Sequence, residues 1–359
     1  MLVDLYLTKY YNMKDKICQL SFNRGDRQMP VVSDYKKVKE IYADAAKKAW
    51  VIPCICSENL TTTEAFFAAA EEFAVAGGYE TVPVTIAMTI KYSHRPQATY
   101  YTHSRRADIG LRCFAADAHI LADAYPHVTA MLHLDHVQPI DDADLLEGDL
   151  SDFASIMYDA STFPFEKNIE MTAAFVRKMQ GKILIEGACD EIYDAGGSTH
   201  NSITTPEDAD RFVRETGVDL VVCNLGTEHR ASGKDLKYYG DAAREIKRVI
   251  GEKIVLHGTS SVTADQIKSL FADGICKVNI WTAVERDSSP VLLRWMVENA
   301  ERIGGEKTVD TLISEGYLGE RCRTGEKASL AHFTTAARQA VVWEEMKKIC
   351  RAYFDLWYV

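Results

Sequence analysis

Residues 128–136 read Val-Thr-Ala-Met-Leu-His-Leu-Asp-His, an apolar strand-like run that ends in polar side chains. Similar runs recur along the chain and alternate with helical patterns, which predicts parallel strands joined by crossover helices. Eight such strands in about 230 residues predict a closed (β/α)8 TIM barrel, and an open doubly wound sheet is the alternative. The predicted strands are Val51–Cys56, Val82–Thr89, Val128–Leu134, Ala154–Tyr158, Ile183–Glu186, Leu220–Asn224, Ile254–Leu256 and Cys276–Ile280.

Capping residues between these strands predict where crossover helices begin. The three pairs are Thr61 with Glu64, Thr205 with Pro206, and Thr263 with Gln266, and glycines follow the predicted ends of the three helices. Residues 1–34 precede the first helix and are predicted to be an N-terminal extension. Residues 35–359 are predicted to form one barrel domain, with additional helices from about residue 285.

Composition narrows the class of function. The chain has 359 residues, 47% of them apolar, and a net charge of -11, which disfavours nucleic acid and membrane surfaces as partners. A small-molecule substrate is expected instead. No apolar run reaches the roughly 18 residues of a membrane span, and the N-terminal residues lack a signal-peptide pattern, so a cytoplasmic protein is expected. The nine cysteines are an odd number at wide spacing and are interpreted as reduced thiols.

Three histidines follow strand-like runs, and this placement predicts a metal site. His136, His229 and His257 lie after the third, sixth and seventh predicted strands. The carboxyl ends of barrel strands meet at one face, and a catalytic zinc ion typically takes three protein ligands and leaves one position open. The sequence therefore predicts a zinc enzyme.

Several ordered motifs resemble those of the class II, zinc-dependent ketose-bisphosphate aldolases, which include fructose- and tagatose-bisphosphate aldolases. The likeness covers roughly residues 35–290. Its motifs are LHLDH at residues 132–136, IMYDAS at 156–161, GTEH at 226–229, HGTSS at 257–261 and GICKVNI at 274–280.

The resemblance implies roles for residues at the strand ends. Asp135 is expected to be the catalytic acid or base, and His136, His229 and His257 are expected to hold one Zn²⁺ per subunit. The metal would stabilise the enediolate that forms when a carbon–carbon bond of a ketose breaks. Further carboxylates are expected to orient the ligands or to offer an alternate metal site; these are Asp159, Glu186 and Glu191.

Phosphate and partner recognition also follow from the resemblance. The substrate is expected to be a phosphorylated sugar bound by the loops after the last two strands. The candidate residues are Gly258, Ser260, Asn279 and Thr282, with Lys234 and Asn59 as further candidates. A homodimer or homotetramer is implied, as is a monovalent cation near the phosphate.

The chain departs from the family pattern near the substrate. Arg230 stands where a glycine is usual, Trp281 where Ala or Asp is usual, and Cys56 where an Asn is usual. The loop Gly-Gly-Ser-Thr-His at residues 196–200 lacks the family's glutamate. Two hypotheses follow: His200 replaces that glutamate in proton exchange, and Arg230 recognises a substrate anion bidentately.

These observations favour a zinc-dependent lyase that cleaves or forms a carbon–carbon bond of a ketose, such as a ketose 1-phosphate or bisphosphate. The alternative is a zinc-dependent sugar epimerase or isomerase on the same scaffold, which would suit the missing loop acid. A metal-binding homologue without catalysis is the third interpretation, and it would require Arg230 and Trp281 to block the sugar site.

Overall fold

The structure, a computed structural model, describes residues 31–191, 203–227, 238–259, 262–263 and 265–358. Eight parallel strands form a closed barrel in which each strand pairs with the next and β8 pairs with β1. The predicted barrel is confirmed, and the open sheet is excluded. The strands are β1 Ile52–Cys56, β2 Val82–Thr89, β3 Val128–Val137, β4 Ser155–Tyr158, β5 Leu184–Ala188, β6 Leu220–Val222, β7 Ile254–Leu256 and β8 Ile275–Ile280.

Helices occupy the connections and the C-terminal part of the chain. Their bounds are α1 Tyr35–Lys47, α2 Leu60–Gly77, α3 Gln97–Tyr101, α4 Ala107–Ala124, α5 Ala143–Leu146, α6 Phe165–Met179, α7 Pro206–Thr216, α8 Gly240–Ile250, α9 Thr282–Glu298, α10 Ala300–Gly304, α11 Glu306–Ser314, α12 Leu330–Phe333 and α13 Thr335–Trp357. Two short 3₁₀ helices cover Gln266–Ser269 and Glu320–Cys322. No helix among the described residues is both long and apolar enough to cross a membrane.

Side-chain caps mark the starts of two of the three predicted crossover helices, and one of these caps is not the predicted residue. Helix α7 begins as predicted, because the Thr205 side chain accepts the Asp208 backbone N–H and proline occupies the first turn. Helix α2 is capped by Asn59 and not by Thr61. The Asn59 side chain accepts backbone N–H groups of Thr61 and Thr62, and Thr62 completes the capping box. The cap therefore lies two residues earlier than predicted.

The third predicted helix is much shorter than expected. Thr263 and Gln266 do form the two reciprocal hydrogen bonds of a capping box. The Thr263 backbone N–H donates to Gln266 Oε1 at 3.1 Å, and the Gln266 backbone N–H donates to Thr263 Oγ1 at 3.3 Å. However, only the 3₁₀ turn Gln266–Ser269 follows them, and no helix extends to Gly274.

The core combines strand side chains that are buried on both sheet faces with helix side chains such as Phe66, Phe114 and Phe212, as expected when helices cover a parallel barrel. The last helix, α13, packs along α2 and α9. Beyond it, Tyr358 stacks on Trp50 with ring centroids 4.3 Å apart. The eight cysteines in the described residues form no disulfide, which agrees with reduced thiols.

Candidate active site

Strand β3 delivers two adjacent polar side chains to the same cleft. In a regular strand, neighbouring side chains point to opposite faces, so Asp135 and His136 would be separated. Here His136 adopts a left-handed backbone conformation with φ 47, and the pairing of β3 with β4 shifts register between Leu134 and Val137. Such a bulge redirects a side chain and is over-represented near active sites. As a result, Asp135 and His136 both line the cleft.

His136 is oriented by an acidic partner. Its Nδ1 lies 2.8 Å from Asp159 Oδ2, and Asp159 Oδ1 also accepts the Ser161 hydroxyl at 2.6 Å. Burial opposes ionisation of Asp159, but the bond and charge of His136 and the bonds from Ser161 together outweigh it and lower the pKa of this carboxyl. Metal-binding histidines usually hold a carboxylate or carbonyl on their second nitrogen. This arrangement leaves the His136 Nε2 side of the ring to face the cleft.

Asp135 is held ionised at the floor of the cleft. Its Oδ1 accepts the Asn279 amide at 2.9 Å, and its Oδ2 lies 3.5 Å from the Cys56 sulfur. Burial favours the neutral acid, but the charge of His136 and the bond to His133 hold the pKa of Asp135 well below its usual range. Asp135 is therefore ionised at neutral pH, which is the state that a general base needs, and its contacts fix its orientation.

A fully buried charge network lies beneath the cleft. Lys277 Nζ donates to Glu186 Oε2 at 2.7 Å and lies 3.2 Å from His133 Nε2, and none of these three side chains is exposed to solvent. Glu186 Oε1 lies 3.5 Å from His257 Nε2. Burial opposes ionisation of Glu186, but Lys277, His257 and His133 together outweigh it and lower the pKa of Glu186 to about 2. The network therefore links the barrel interior to His257.

The donor set fits a metal ion. Ligand atoms from Asp135, His136 and His257 all lie within 4.8 Å of one another, and all three residues are buried. The His136 and His257 rings meet edge to face with centroids 4.9 Å apart. Imidazole nitrogens and a carboxylate are ligands that zinc takes. The third predicted histidine ligand, His229, lies outside the described residues.

A cleft opens above these residues. Its walls carry Gly258, which has a positive φ of 70, and Trp281, which packs on Cys54, Cys56 and Ala87. Thr282 begins the 17-residue helix α9 at the edge of the cleft, so backbone N–H groups of its first turn lie beside it. Tyr92, His94, Arg95, Gln97 and Thr259 also line the cleft.

A second cavity also borders His136. Its walls include Asp159, Asp190 and Glu191. Burial, together with the nearby charge of Asp159, raises the pKa of Glu191. Tyr92 separates the two cavities and stacks on the His136 ring at a centroid distance of 4.2 Å.

The structure brings several predicted residues together and separates others. Asp135, His136, His257, Gly258, Asn279 and Thr282 line the cleft. Asn59 does not line it, because its side chain caps α2. Glu186 lies in the middle of β5, inside the barrel, and not at the end of the strand as predicted. The predicted residues outside the described part of the chain are His200, His229, Arg230, Lys234 and Ser260.

Sequence reasoning missed three residues that the geometry places at or under the cleft. His133 bonds Ser155 Oγ at 2.8 Å and contacts Lys277. The second missed residue is Lys277, and a lysine in the middle of an apolar strand run was the available signal for the buried network. Arg95 gave no such signal, because it lies in a loop between β2 and α3.

Comparison with known proteins agrees with this architecture. The family model described as fructose-bisphosphate aldolase class-II matches residues 36–352. A fructose-bisphosphate aldolase from Giardia intestinalis is 26% identical over 208 residues, which cover 50% of this chain and 64% of the relative. The chain thus matches just under two thirds of that relative's length.

Solved structures show the same fold. The fructose-bisphosphate aldolase from Campylobacter jejuni superposes with a TM-score of 0.71 at 19% identity, covering 91% of this chain and 95% of that one. The YdjI aldolase from Escherichia coli gives a TM-score of 0.62 at 19% identity, with 89% and 96% covered. The resemblance predicted from the sequence motifs is confirmed by the family match, which spans most of the chain. The chain belongs to the class II fructose-bisphosphate aldolase family.

Proposed function

We propose that this protein is a zinc-dependent aldolase-type lyase that cleaves or forms a carbon–carbon bond of a phosphorylated ketose. The observation that carries the proposal is the convergence of Asp135, His136 and His257, whose ligand atoms lie within 4.8 Å in one buried cluster. Family membership supports the reaction type. The ketose itself is left open by both.

The residues divide into metal-holding and proton-handling groups. His136 and His257 would hold the zinc ion together with His229, and the ion would polarise the ketose carbonyl when bound. Asp135 would take the proton from the substrate hydroxyl that becomes the aldehyde. The Asn279 side-chain amide donates a hydrogen bond of 2.9 Å to Asp135 Oδ1 and so fixes the carboxylate for this role. The other oxygen, Oδ2, lies beside the cleft wall at Cys56. A positioned base of this kind contributes roughly 10²–10⁴-fold to a rate.

Phosphate recognition is proposed at the edge of the cleft. Gly258 and Thr282 lie there, and the first turn of α9 offers backbone N–H groups whose dipole favours an anion. Ser260 and Lys234 remain candidates for the same role. We also propose a homodimer or homotetramer, which light scattering of the purified protein would test.

The role of Asp135 is tested by separating turnover from metal binding. If Asp135 is the base, Asp135→Asn should lower turnover roughly 10²–10⁴-fold while zinc affinity stays within about tenfold of wild type. If zinc affinity falls as steeply as turnover, Asp135 is a ligand instead. Asp144→Asn is the control, because Asp144 is an exposed carboxylate paired with Lys91.

The reaction class is tested with a panel of ketoses, ketose monophosphates and ketose bisphosphates followed by mass spectrometry. A lyase releases two fragments, and the fragments identify the substrate. Isomers of unchanged mass would replace this proposal with the epimerase alternative. Turnover of neither kind would contradict both.

A further inference from the structure

The loop that follows β2 is held in one shape by bonds between its ends. The Thr89 backbone N–H donates to Gln97 Oε1 at 3.0 Å, and the Gln97 backbone N–H donates to Thr89 Oγ1 at 3.1 Å. The Thr89 hydroxyl also donates to the Arg95 carbonyl. Gln97 is 2% exposed, so these bonds are shielded from water. The loop is therefore a rigid support for residues 90–96.

This support presents the Arg95 guanidinium in a fixed orientation. Arg95 Nε donates to both Glu58 oxygens at 3.1 Å, and Nη2 donates to Glu58 Oε2. Glu58 is 8% exposed and also accepts the Gln97 amide at 3.3 Å. The guanidinium lies over the Tyr100 ring, 4.6 Å from its centroid. Glu58 thus occupies the Nε–Nη2 edge of the guanidinium, and the contacts with Glu58 and Tyr100 fix the orientation of its plane.

Arg95 also belongs to the wall of the candidate site, and its Nη1 takes no part in the bonds to Glu58. Arg95 lines the cleft with Asp135, His136 and His257, and it is the only lysine or arginine among the described residues that line it. Its side chain is 36% exposed. Among the described residues, none accepts a hydrogen bond from Nη1. A guanidinium held by a carboxylate on one edge can still bind an anion bidentately or singly through the other.

We infer that Arg95 recognises an anionic group of the substrate, a phosphate or a carboxylate, and so determines which ketoses the cleft accepts. The inference rests on the proposed function for the reaction, but the anion site itself does not require turnover. The alternative is that Arg95 only pairs with Glu58 and has no ligand. Such an ion pair would not require the arginine to line the cleft, as Arg95 does. Preorganisation by Glu58 and Gln97 reduces the entropy that the side chain loses when a ligand binds.

The test compares Arg95→Gln with Arg105→Gln. Arg105 is the matched control, because it lies over the same Tyr100 ring at 4.3 Å but does not line the cleft. Binding of inorganic phosphate is measured by calorimetry, and kcat/KM is measured for ketoses with and without a phosphate or a carboxylate. Arg95→Gln should weaken phosphate binding and lower kcat/KM for anionic ketoses about 10–100-fold, mainly through KM, since a hydrogen bond to a charged group contributes about 1.5–3 kcal/mol.

Uncharged ketoses should change less than about threefold with Arg95→Gln, and Arg105→Gln should resemble wild type. Arg95→Lys, which keeps the charge without the planar fork, should give an intermediate loss and covers the case in which Arg95→Gln fails to fold. The larger loss among phosphate- and carboxylate-bearing ketoses identifies the anion. Equal losses for charged and uncharged ketoses would overturn the inference, as would unchanged phosphate binding together with unchanged kcat/KM for carboxylate-bearing ketoses. Phosphate binding that depends on Arg95 without cleavage of any ketose would support the inference and overturn the proposed reaction.

Discussion

The buried pair of Lys277 and Glu186 should contribute strongly to stability. Their charged atoms lie 2.7 Å apart, and neither side chain is exposed. Lys277→Met nearly preserves side-chain volume but leaves Glu186 charged and without its cation inside the barrel. Removal of one partner from a buried pair typically costs about 3–5 kcal/mol. We expect this loss in the free energy of unfolding at pH 7. It should shrink toward pH 5, because Glu186 without Lys277 takes up a proton more readily.

Urea unfolding followed by circular dichroism, with zinc removed by chelation, measures this cost separately from metal binding. The double variant Lys277→Met with Glu186→Gln should lose less than Lys277→Met alone, since no unpaired charge remains. Lys178→Met is the matched control. Lys178 and Glu147 are 2.6 Å apart, but their side chains are 45% and 77% exposed, so the loss should stay below about 1 kcal/mol. A cost below about 1 kcal/mol for Lys277→Met would refute the reasoning. It would also be refuted if the cost of the double variant equalled the sum of the costs of Lys277→Met and Glu186→Gln measured singly.

Three further predictions concern other parts of the molecule. Burial raises the pKa of Glu285 from 4.5 to about 7, so stability is lost as pH rises through this range. Glu285→Gln should therefore raise the free energy of unfolding by about 2–3 kcal/mol at pH 8 and very little at pH 4.5, and an equal gain at both values would contradict this. Gly110→Ala would place a Cβ atom 1.8 Å from the Ala98 carbonyl oxygen, so a loss of at least about 2 kcal/mol is expected by urea unfolding, whereas wild-type stability would show that the helices separate easily. Asp159→Asn should weaken zinc binding about 10–100-fold in a chelator competition, because it removes the carboxylate from His136 Nδ1, and unchanged affinity would rule out this orienting role.

The barrel was predictable because its strands are buried on both faces and their sequences are continuous apolar runs. The bounds of Val82–Thr89 and Ile254–Leu256 are those predicted, and the other strands differ by one to three residues at an end. The ends of α2 and α7 were equally readable, since Gly78 and Gly217 take left-handed conformations that glycine adopts without strain.

The interior of the site was less predictable, because it depends on contacts between distant residues. Sequence alone placed Glu186 at the end of its strand, whereas the structure places it in the middle of β5, where it contacts Lys277 inside the barrel. The left-handed backbone of His136 has no local signal, since few residues other than glycine adopt it and nothing near His136 in the sequence marks it as one of them. The position of Asn59 illustrates local ambiguity: several polar residues in the stretch 57–63 are able to cap a helix, and only the geometry shows which one does.

The central claim is that this cleft breaks a carbon–carbon bond with the help of a bound zinc ion. The most direct test is NMR of isotopically labelled ketose phosphates incubated with the protein after chelation and again after one equivalent of zinc is restored. We predict no reaction after chelation and two smaller products after zinc is restored. Cleavage that is equally fast without metal, or isomers without fragments when zinc is present, would contradict the account.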